Sequence, residues 1–528
     1  MKHLILDIKS EKGFVLDEVW EYLLLPDSEG VVKKINSDWK GYLVNYDQIT
    51  FDDLVKACKH FDTNTLQGLN SDYLLMGLNN SKSELNIISG VSGKFPLYFS
   101  PYKDGFVAST DISEIIRRKT NKKININSAL DYLYTDYFMY TTHETFIEGV
   151  YKLPVGHRLR IDRNYKFKIE PIFNLDKFLR NQQEPFSVEK FQEKFLDRMV
   201  NVVRERTIRF PNTPIGCELS SGFDSSLIAY ALKKAGISQN CTFFSDYSKY
   251  DTGDTDKSIV EKFAIKHNLK LSFLDISDLT TFSDIDTGWS KKYFFPGTHA
   301  LLGEIITAEN RRKIYSQPNL LFRGFGADEL FMSYLIHHNV DKMIKDELEW
   351  AKFGIEQGIG KIFTNKGLEI LKSRDRMFQT PVYFSIFSPS SVEWAIFSIY
   401  WEYGEWSVLP FNDLELLEIA RRIPRKNGKP LKKQEIWAGR TDIFLPEQYK
   451  QKLPFDNHVL QIFEKRKGFL VKILSNSVLG KAGLINSSEM REAVATDKAK
   501  DLYKNMLPVF INVIWLENYL QANDIIKL

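Results

Sequence analysis

Short apolar runs separated by turn residues fill the first part of the chain. These runs are GYLVNY, LNIISG, FPLYFSPYKDGFVAST and YKLPVGHRLRID. Runs of this length that are bounded by turns predict β-strands, and SPYKDGF predicts a hairpin between two aromatic-rich strands. The polar stretch NLDKFLRNQQEPFS, which contains Pro185, predicts a linker. We therefore predict a β-rich domain at residues 1–175 and a linker at residues 176–190.

A different pattern begins after this linker. A helical stripe comes first, formed by Phe191, Phe195, Met199, Val202 and Val203. Apolar strands then alternate with amphipathic helices, in the order IGCEL, a helix at 225–235, CTFFS, a helix at 256–267, and KLSFLDI. This alternation predicts an α/β domain with a parallel sheet that helices cover on both faces, at residues 191–528. Ligands of such sheets bind at the carboxyl ends of the strands.

The segment LSSGFDSS, at residues 219–226, lies at such a strand end. An apolar strand precedes it, and a helix that Gly236 ends follows it. Backbone N–H groups at a helix start attract anions, and Ser220, Ser225 and Ser226 add hydroxyl donors. The turn therefore predicts an anion site. An ordinary N-cap, which serine and aspartate also form, is the alternative at this point.

A second strand end carries acidic residues, in LLFRGFGADELFMSY at residues 320–334. Gly324 and Gly326 predict a tight turn there, and Asp328 follows at the start of a helix. Because Asp224 and Asp328 both follow strands of one predicted sheet, they could face each other across a ligand. Two carboxylates and phosphate oxygens are typical ligands of Mg²⁺. The alternative is an acidic helix start that the helix dipole favours.

Composition narrows the class of protein. The chain has 528 residues, 43% of them hydrophobic, which suffices for two to four globular domains. Its 71 basic and 68 acidic residues give a net charge of +3, so no general attraction to nucleic acid or to anionic membranes is expected. The densest basic cluster, at residues 117–123, lacks interleaved aromatics and is interpreted as a solvated loop.

The cysteines and the apolar runs bear on the cellular compartment in which the protein is expected. Cys58, Cys217 and Cys241 show neither disulfide nor metal-site spacing, which is typical of a reducing compartment. The start of the chain is too short in its apolar part for a signal peptide, and no apolar run has the length of a membrane helix. We therefore expect a cytoplasmic protein.

Taken in order, these motifs resemble the asparagine-synthetase-like amide synthetases, which include β-lactam synthetases and lasso-peptide macrolactam synthetases. The family's S-G-G-x-D-S-S is matched at residues 220–226, and its S-G-x-G-A-D-E-L-F is matched at residues 323–331. PGTHALLGEI, PFND and KQKLPF match further family segments, and KFPLYFS, DGFVAST and TFIEGVYKLPVGHRLRI resemble the family's glutaminase domain. The resemblance implies a glutaminase-like α+β sandwich followed by a parallel-sheet synthetase domain of the ATP-pyrophosphatase type.

The resemblance also implies an activity and its ligands. Family members use ATP and Mg²⁺ to adenylate a carboxylate, release pyrophosphate, and let an amine displace AMP. Carried over to the matching positions, the resemblance implies that Asp224 and Asp328 bind the metal. It also implies that Lys452 is the cation that stabilises the transition states. Lys452 also fits the alternative of a basic surface helix end. The implied nucleotide-binding residues are Leu219, Ser220, Ser221, Gly222, Phe223, Asp224, Ser225, Ser226, Phe244, Ser245, Arg323 and Gly324.

Departures from the family pattern bear on the substrate. Ser221 replaces a glycine, which is tolerable where its φ is not positive. Arg323 replaces a serine, and Phe325 replaces a residue that is glutamate in asparagine synthetases and tyrosine in β-lactam synthetases. Val408 stands where asparagine synthetases have an arginine that helps to recognise aspartate. Lys2 stands where their glutaminase domain has its nucleophilic cysteine, so we expect residues 1–175 to be a scaffold without glutaminase activity.

The attacking amine must lose a proton, and Phe325 cannot accept one, so another residue is needed as the general base. Glu393 is the first acid of an aromatic helix and lies near the place of the β-lactam synthetase glutamate. The alternative is a capping box, since Ser390-x-x-Glu393 has that form.

Three interpretations follow. The first is an AMP-forming lactam or macrolactam synthetase that acts on a small molecule or peptide carrying a carboxylate and an amine. The second is an ammonia-dependent asparagine synthetase. The third is a nucleotide-binding scaffold without catalysis that holds a biosynthetic partner. For each we expect no nucleic-acid or membrane partner, and either a homodimer or a biosynthetic partner protein.

Overall fold

A computed structural model describes much of the chain. The described residues are 5–9, 39–45, 73–79, 84–90, 97–102, 105–134, 143–154, 156–162, 164–172, 183–208, 210, 212–249, 253–280, 282–283, 304–314, 319–332, 359–373, 400, 403–449 and 459–525.

Two antiparallel sheets form the described part of the N-terminal region. One contains β1 (Ile5–Lys9), β5 (Tyr98–Tyr102), β6 (Gly105–Ser109) and β7 (Tyr151–Lys152), in the order β1-β6-β5-β7. The other has the order β2-β3-β4-β8-β9 and contains β2 (Trp39–Asn45), β3 (Tyr73–Asn79), β4 (Glu84–Ser89), β8 (His157–Ile161) and β9 (Phe167–Pro171). The predicted hairpin is present as β5–β6. The rings of Phe99 and Phe167, one from each sheet, lie 5.1 Å apart, so the two sheets pack on each other.

A parallel sheet of five strands forms the second region, which confirms the predicted mixed α/β architecture. Its order is β12-β11-β10-β13-β14, and its strands are β10 (Ile215–Glu218), β11 (Cys241–Tyr247), β12 (Lys270–Asp275), β13 (Asn319–Phe322) and β14 (Glu405–Val408). β14, which pairs with β13, was not predicted from the sequence. The two predicted ligand turns follow β10 and β13, which are neighbours in register, with Cys217 opposite Phe322. Both turns therefore lie at one edge of the sheet.

Three predicted helix starts differ from the structure. The helix predicted at 256–267 runs Gly253–His267 and so begins three residues earlier. The helix of the apolar stripe runs Val188–Ile208, so its first turn occupies the end of the predicted linker. Phe191, Phe195 and Met199 are fully buried on it, as the stripe predicts. The helix after β10 runs Phe223–Lys234 and begins two residues before the predicted 225. The segment FDSS thus forms the first turn of that helix and not a loop before it.

The remaining elements surround these sheets. The helices are α1 (Ile112–Arg118), α2 (Ile126–Tyr134), α3 (Val188–Ile208), α4 (Phe223–Lys234), α5 (Gly253–His267), α6 (Glu304–Ile314), α7 (Ala327–Met332), α8 (Asn365–Ser373), α9 (Leu414–Ala420), α10 (Lys433–Ile436), α11 (Ile462–Lys465), α12 (Lys467–Ser475), α13 (Val478–Lys481), α14 (Ser487–Ala495), α15 (Ala499–Tyr503) and α16 (Leu507–Ala522). Short 3-10 helices lie at Ser238–Asn240, Ile359–Lys361, Pro446–Tyr449 and Lys504–Met506, and a two-stranded ribbon joins β15 (Arg425–Lys426) to β16 (Lys429–Pro430).

The buried apolar residues form two clusters. One joins the facing sides of the antiparallel sheets to α3, α4 and the parallel sheet. The other joins α1 and α2 to α6 and to the C-terminal helices, with α16 at its centre. None of the helices within the described ranges combines the length and the apolar character that crossing a membrane requires.

Candidate functional site

The turn between β10 and α4 presents backbone donors at an open helix start. The N-cap residue is Gly222, with φ −81° and ψ 164°, and no side chain caps the helix. The ordinary serine or aspartate N-cap is therefore not what the structure contains. The N–H of Ser220 donates to Ser225 Oγ at 2.9 Å, and the N–H of Gly222 donates to Ser220 Oγ at 3.2 Å. Both N–H groups are thus used within the turn of the free protein, and the exposed Ser220 hydroxyl beside the helix start is the group that an anion can reach from outside.

Ser221 occupies the family's glycine position without strain. Its φ is not positive, so a residue with a Cβ is tolerated there. The Ser221 hydroxyl donates to Asp256 Oδ1 at 3.0 Å. Asp256, on α5, was not identified from the sequence, where it is one acid in an ordinary amphipathic helix. It brings a further carboxylate beside the turn.

Several predicted nucleotide-binding side chains belong to the core. Leu219 and Phe244 are each 2% exposed, and the Leu219 N–H donates to the Phe244 carbonyl at 2.7 Å. The Phe223 ring packs 4.6 Å from Phe444. Ser226 is fully buried, and Ser245 is 4% exposed. A nucleotide can reach Leu219, Phe223 and Phe244 only through their main chains, because their side chains face apolar neighbours.

Asp224 forms an ion pair that the sequence did not indicate. Its Oδ1 lies 2.6 Å from Lys433 Nζ, on α10. Lys433 is 8% exposed, and its ammonium lies 5.3 Å from the centre of the Phe331 ring. Lys433 is one of two adjacent lysines in PLKKQE, and nothing in that pattern marks it as a site residue. The open helix start therefore has a nearly buried cation beside it.

The second turn lies against the first. A Cβ built on Gly324 would lie 3.5 Å from Asp224 Cβ and 3.6 Å from the Ser225 nitrogen. Gly326 has φ +91°, and a Cβ there would collide with the side chain of Asn412. The predicted strand–turn–helix arrangement is present, with Asp328 in the first turn of α7. The position of the Asp328 side chain lies outside the described residues, so its pairing with Asp224 stays a prediction.

Arg323 and Phe325, two of the departures, stack on each other. The Arg323 guanidinium lies 4.5 Å from the Phe325 ring and 4.7 Å from the Tyr400 ring. Its Nε donates to Glu218 Oε2 at 2.9 Å. On the other side, Arg311 lies 5.1 Å from the Tyr400 ring. These residues form a column of alternating cations and aromatic rings beside the second turn.

A buried carboxylate neutralises the outer end of this column. Arg311 binds Glu405 through two contacts of 2.9 Å. Burial raises the pKa of the Glu405 carboxyl, and Arg311 opposes that shift. Val408, at the end of β14, is 5% exposed, and its carbonyl accepts from the Arg323 N–H at 3.0 Å. The position of the family's arginine is thus part of the core of the sheet.

The two predicted catalytic residues, Lys452 and Glu393, lie outside the described residues. Both assignments stay predictions. Cys217 and Cys241 are buried and free, and burial raises the pKa of both thiols, so neither is a reactive nucleophile.

The residues that are described fit a nucleotide and a hard cation. An uncapped helix start, an exposed serine and a lysine suit phosphate oxygens. Asp224 is half-buried and offers carboxylate oxygens, the ligand type that Mg²⁺ prefers. Lys433 pairs with Oδ1 of Asp224, so a metal at this carboxylate would bind the other oxygen or replace the lysine.

Comparison with known proteins adds a family and one distant relative. Residues 194–383 match the family described as asparagine synthase. Amidase chry2 of Gibberella zeae is 24% identical over 298 residues, which are 53% of this chain and 42% of that protein. The chain therefore spans less than half of the length of this curated relative.

Two solved structures overlap with low scores. Glutamine phosphoribosylpyrophosphate amidotransferase from B. subtilis, complexed with ADP and GMP, matches over 39% of this chain and 46% of its own, with 11% identity and a TM-score of 0.17. A structure described as the allosteric regulatory enzyme of purine biosynthesis matches over 47% and 63%, with 10% identity and a TM-score of 0.19. Scores this low carry no argument about the fold, so the glutaminase-like assignment of residues 1–175 stays a prediction. Both turn motifs lie inside the matched region, so the motifs and the asparagine synthase match point to the same segment of this chain, residues 194–383.

Proposed function

We propose that this protein is an ATP-dependent carbon–nitrogen ligase that adenylates a carboxylate and joins it to an amine, forming a lactam or macrolactam. The asparagine synthase match supports an amide-forming enzyme that uses ATP. The observation that carries the proposal is the start of α4, where an uncapped helix N-terminus lies beside the Asp224–Lys433 pair.

The reaction has two balanced steps. A carboxylate oxygen bonds to the α-phosphorus of ATP, the bond from that phosphorus to the bridging oxygen breaks, and pyrophosphate leaves with the electron pair. The amine nitrogen then bonds to the acyl carbon and loses a proton, the bond from that carbon to the phosphate oxygen breaks, and AMP leaves with the electron pair. The first step is needed because a carboxylate oxygen is a poor leaving group until it is joined to phosphorus. Exclusion of water protects the activated acyl group between the steps.

The residues of this chain take separate roles in the proposal. The N–H groups at the start of α4 and the Ser220 hydroxyl bind the pyrophosphate part of ATP. Lys433 balances the negative charge that develops there. Asp224 and Asp328 would hold magnesium, which neutralises charge between the phosphates when it is bound.

The amide-forming step needs a base, and Phe325 has no group that can accept a proton. We assign this role to Glu393 and the transition-state cation to Lys452. The proposed substrate is a small molecule or peptide that carries both a carboxylate and an amine. A homodimer or a complex with a biosynthetic partner protein belongs to the same proposal.

Product analysis tests the proposal. The protein is incubated with ATP, Mg²⁺ and panels of amino acids and short peptides, with hydroxylamine present to trap activated carboxylates as hydroxamates. We expect AMP and pyrophosphate in equal amounts, because the serine turn lacks the G-K-[ST] of a Walker loop. ADP as the nucleotide product would contradict the proposal.

A further inference from the structure

Gln448 contacts the turn between β10 and α4 from its buried side. It lies on the 3-10 helix Pro446–Tyr449 and is 6% exposed. Its Nε2 donates to the Ser221 carbonyl at 3.1 Å and to Ser226 Oγ at 2.8 Å. The Ser226 hydroxyl in turn donates to the Gly222 carbonyl at 2.7 Å. Gln448 therefore binds the Ser221 carbonyl directly and the Gly222 carbonyl through the Ser226 hydroxyl.

The orientation of the Gln448 amide is determined by its other end. Its Oε1 accepts a hydrogen bond from the Leu445 N–H at 2.9 Å. Both hydrogens of the amide nitrogen then have acceptors in or beside the turn. A buried amide with all of these partners has no equivalent flipped arrangement, because a flip would place Oε1 against the Ser221 carbonyl.

The consequence for the turn follows from peptide geometry. In a trans peptide unit the C=O and the following N–H point in opposite directions. With the Ser221 carbonyl bound to Gln448, the Gly222 N–H points the other way, where it donates to the exposed Ser220. If this one peptide rotated, a carbonyl oxygen would face a bound phosphate and repel it.

We propose that Gln448 is a positioning residue for the nucleotide, which keeps the turn in its phosphate-binding orientation. Ser226 then supports the turn from inside and does not contact the ligand. This inference rests on the proposed function, since it presupposes that the turn binds ATP.

Binding of ATP by the full chain tests this inference. Gln448→Glu keeps the size of the side chain but removes both donors, and Gln448→Met removes all polar atoms at similar length. Gln192→Glu is the matched control, since Gln192 is also buried and donates to a main-chain carbonyl, that of Ile436 at 2.5 Å, outside the turn. Calorimetric titration with ATP, with and without Mg²⁺, is combined with thermal melting and with the KM for ATP in pyrophosphate release.

We expect both Gln448 variants to weaken ATP binding about tenfold or more and to raise the KM for ATP, because at least one hydrogen bond that orients the turn is lost. The Gln192 variant should lower the melting temperature and leave ATP binding unchanged. Wild-type ATP affinity in a folded Gln448→Met protein would overturn the inference alone. Failure of the wild-type protein to bind ATP would overturn the proposed function, and this inference with it. If Gln448→Glu does not fold, Gln448→Met decides the outcome.

Discussion

The pairing of Asp224 with Lys433 is the residue-scale feature that matters most for the site. Lys433 is nearly buried, and removal of its partner would leave a cation in a poorly hydrated place. The Asp224 carboxylate therefore has two functions in our interpretation. It stabilises the free protein through Lys433, and it offers carboxylate oxygen to a metal when ATP binds.

Asp224→Asn tests both functions, and a substitution at an ordinary surface carboxylate is its control. We expect it to abolish pyrophosphate release and to lower stability moderately, because an amide neither holds Mg²⁺ nor balances Lys433. The control is Asp442→Asn, which removes a half-exposed carboxylate that Arg440 binds through both oxygens at 2.7 Å and to which Tyr230 donates at 3.1 Å. It should cost about 1 kcal/mol with full activity. Pyrophosphate release and urea unfolding measure both effects. Near-normal activity of Asp224→Asn would remove the magnesium assignment.

Gly326 shows how a single backbone position joins the second turn to the rest of the site. Its φ of +91° and its contact with Asn412 both exclude a side chain. Gly428, on the ribbon, has φ +75° but no heavy atom within 4 Å of a built Cβ. Substitution of Gly428 therefore tests backbone strain alone, whereas substitution of Gly326 tests backbone strain together with steric collision.

Gly326→Ala should destabilise the protein more than Gly428→Ala. The second change costs about 1 kcal/mol through positive φ alone, whereas the first adds the displacement of Asn412 from the turn. Thermal melting and ATP binding of both variants measure the difference, and we expect weaker ATP binding only for Gly326→Ala. Equal effects of the two changes on both measurements would show that the Asn412 contact is unimportant.

Two helices begin at a buried aspartate, with different surroundings. Asp111 caps α1 by accepting from the Ser113 N–H at 2.8 Å, and its Oδ2 has no hydrogen-bond partner in the described part of the chain. Burial raises the Asp111 pKa from 3.8 to about 6, although the Ser113 N–H and Arg117 oppose that shift. Asp413 caps α9 but pairs with Arg198 at 2.7 Å. Asp413 therefore has a direct ion pair, whereas Arg117 acts on Asp111 without forming one in the described part of the chain.

Replacing each capping aspartate with asparagine should change the stability of the protein in opposite directions. A carboxyl with a raised folded-state pKa contributes stability below pH 3.8, and that contribution is lost as the pH rises through about 6. At pH 8 the charged Asp111 then costs about 3 kcal/mol, so Asp111→Asn should stabilise the protein at pH 8 and do so less at pH 5. Asp413→Asn should destabilise it at both values, because Arg198 loses its most buried carboxylate partner and keeps the more exposed Glu205 and Glu415. Urea unfolding at pH 5 and pH 8 measures this, and a pH-independent effect of Asp111→Asn would contradict the assignment.

At the scale of the whole molecule, α16 packs against helix α1 and the segment around Phe146 in the N-terminal region. Tyr519 is 1% exposed, its hydroxyl lies 2.8 Å from Ser113 Oγ, and its ring lies 5.8 Å from that of Phe146. Ser113 and Phe146 belong to the N-terminal region, and Tyr519 belongs to the C-terminal helix. Burial at this contact makes the stability of each region depend on the other.

Tyr519→Ala should therefore destabilise the whole protein by about 3–5 kcal/mol, the scale for removal of a buried aromatic ring. Tyr519→Phe keeps the ring and loses one hydrogen bond, which should cost about 1–3 kcal/mol because Ser113 is left buried. Calorimetric melting of both variants measures the shift. If Tyr519→Ala moved only one of two separate transitions, the regions would be energetically independent and this interpretation would be wrong.

The sequence alone predicted the parallel sheet, the two turns at strand ends of that sheet, and a resemblance to the asparagine-synthetase-like enzymes that the match over residues 194–383 supports. These features depend on local patterns, namely apolar periodicity and turn residues, which a linear sequence carries directly. The start of α4 was placed two residues late because FDSS is as typical of a turn as of a first helical turn.

Only the tertiary structure decided which side chains complete the site. Lys433 pairs with Asp224 across 209 residues, and Gln448 binds Ser226 across 222. Among 71 lysines and arginines, no local pattern distinguishes the one that folding buries beside a particular carboxylate. The same holds for the serines, since packing directs Ser226 inward and leaves Ser220 exposed. Burial and long-range hydrogen bonds depend on the position of the whole chain in space, and neighbouring residues in sequence do not encode them separately.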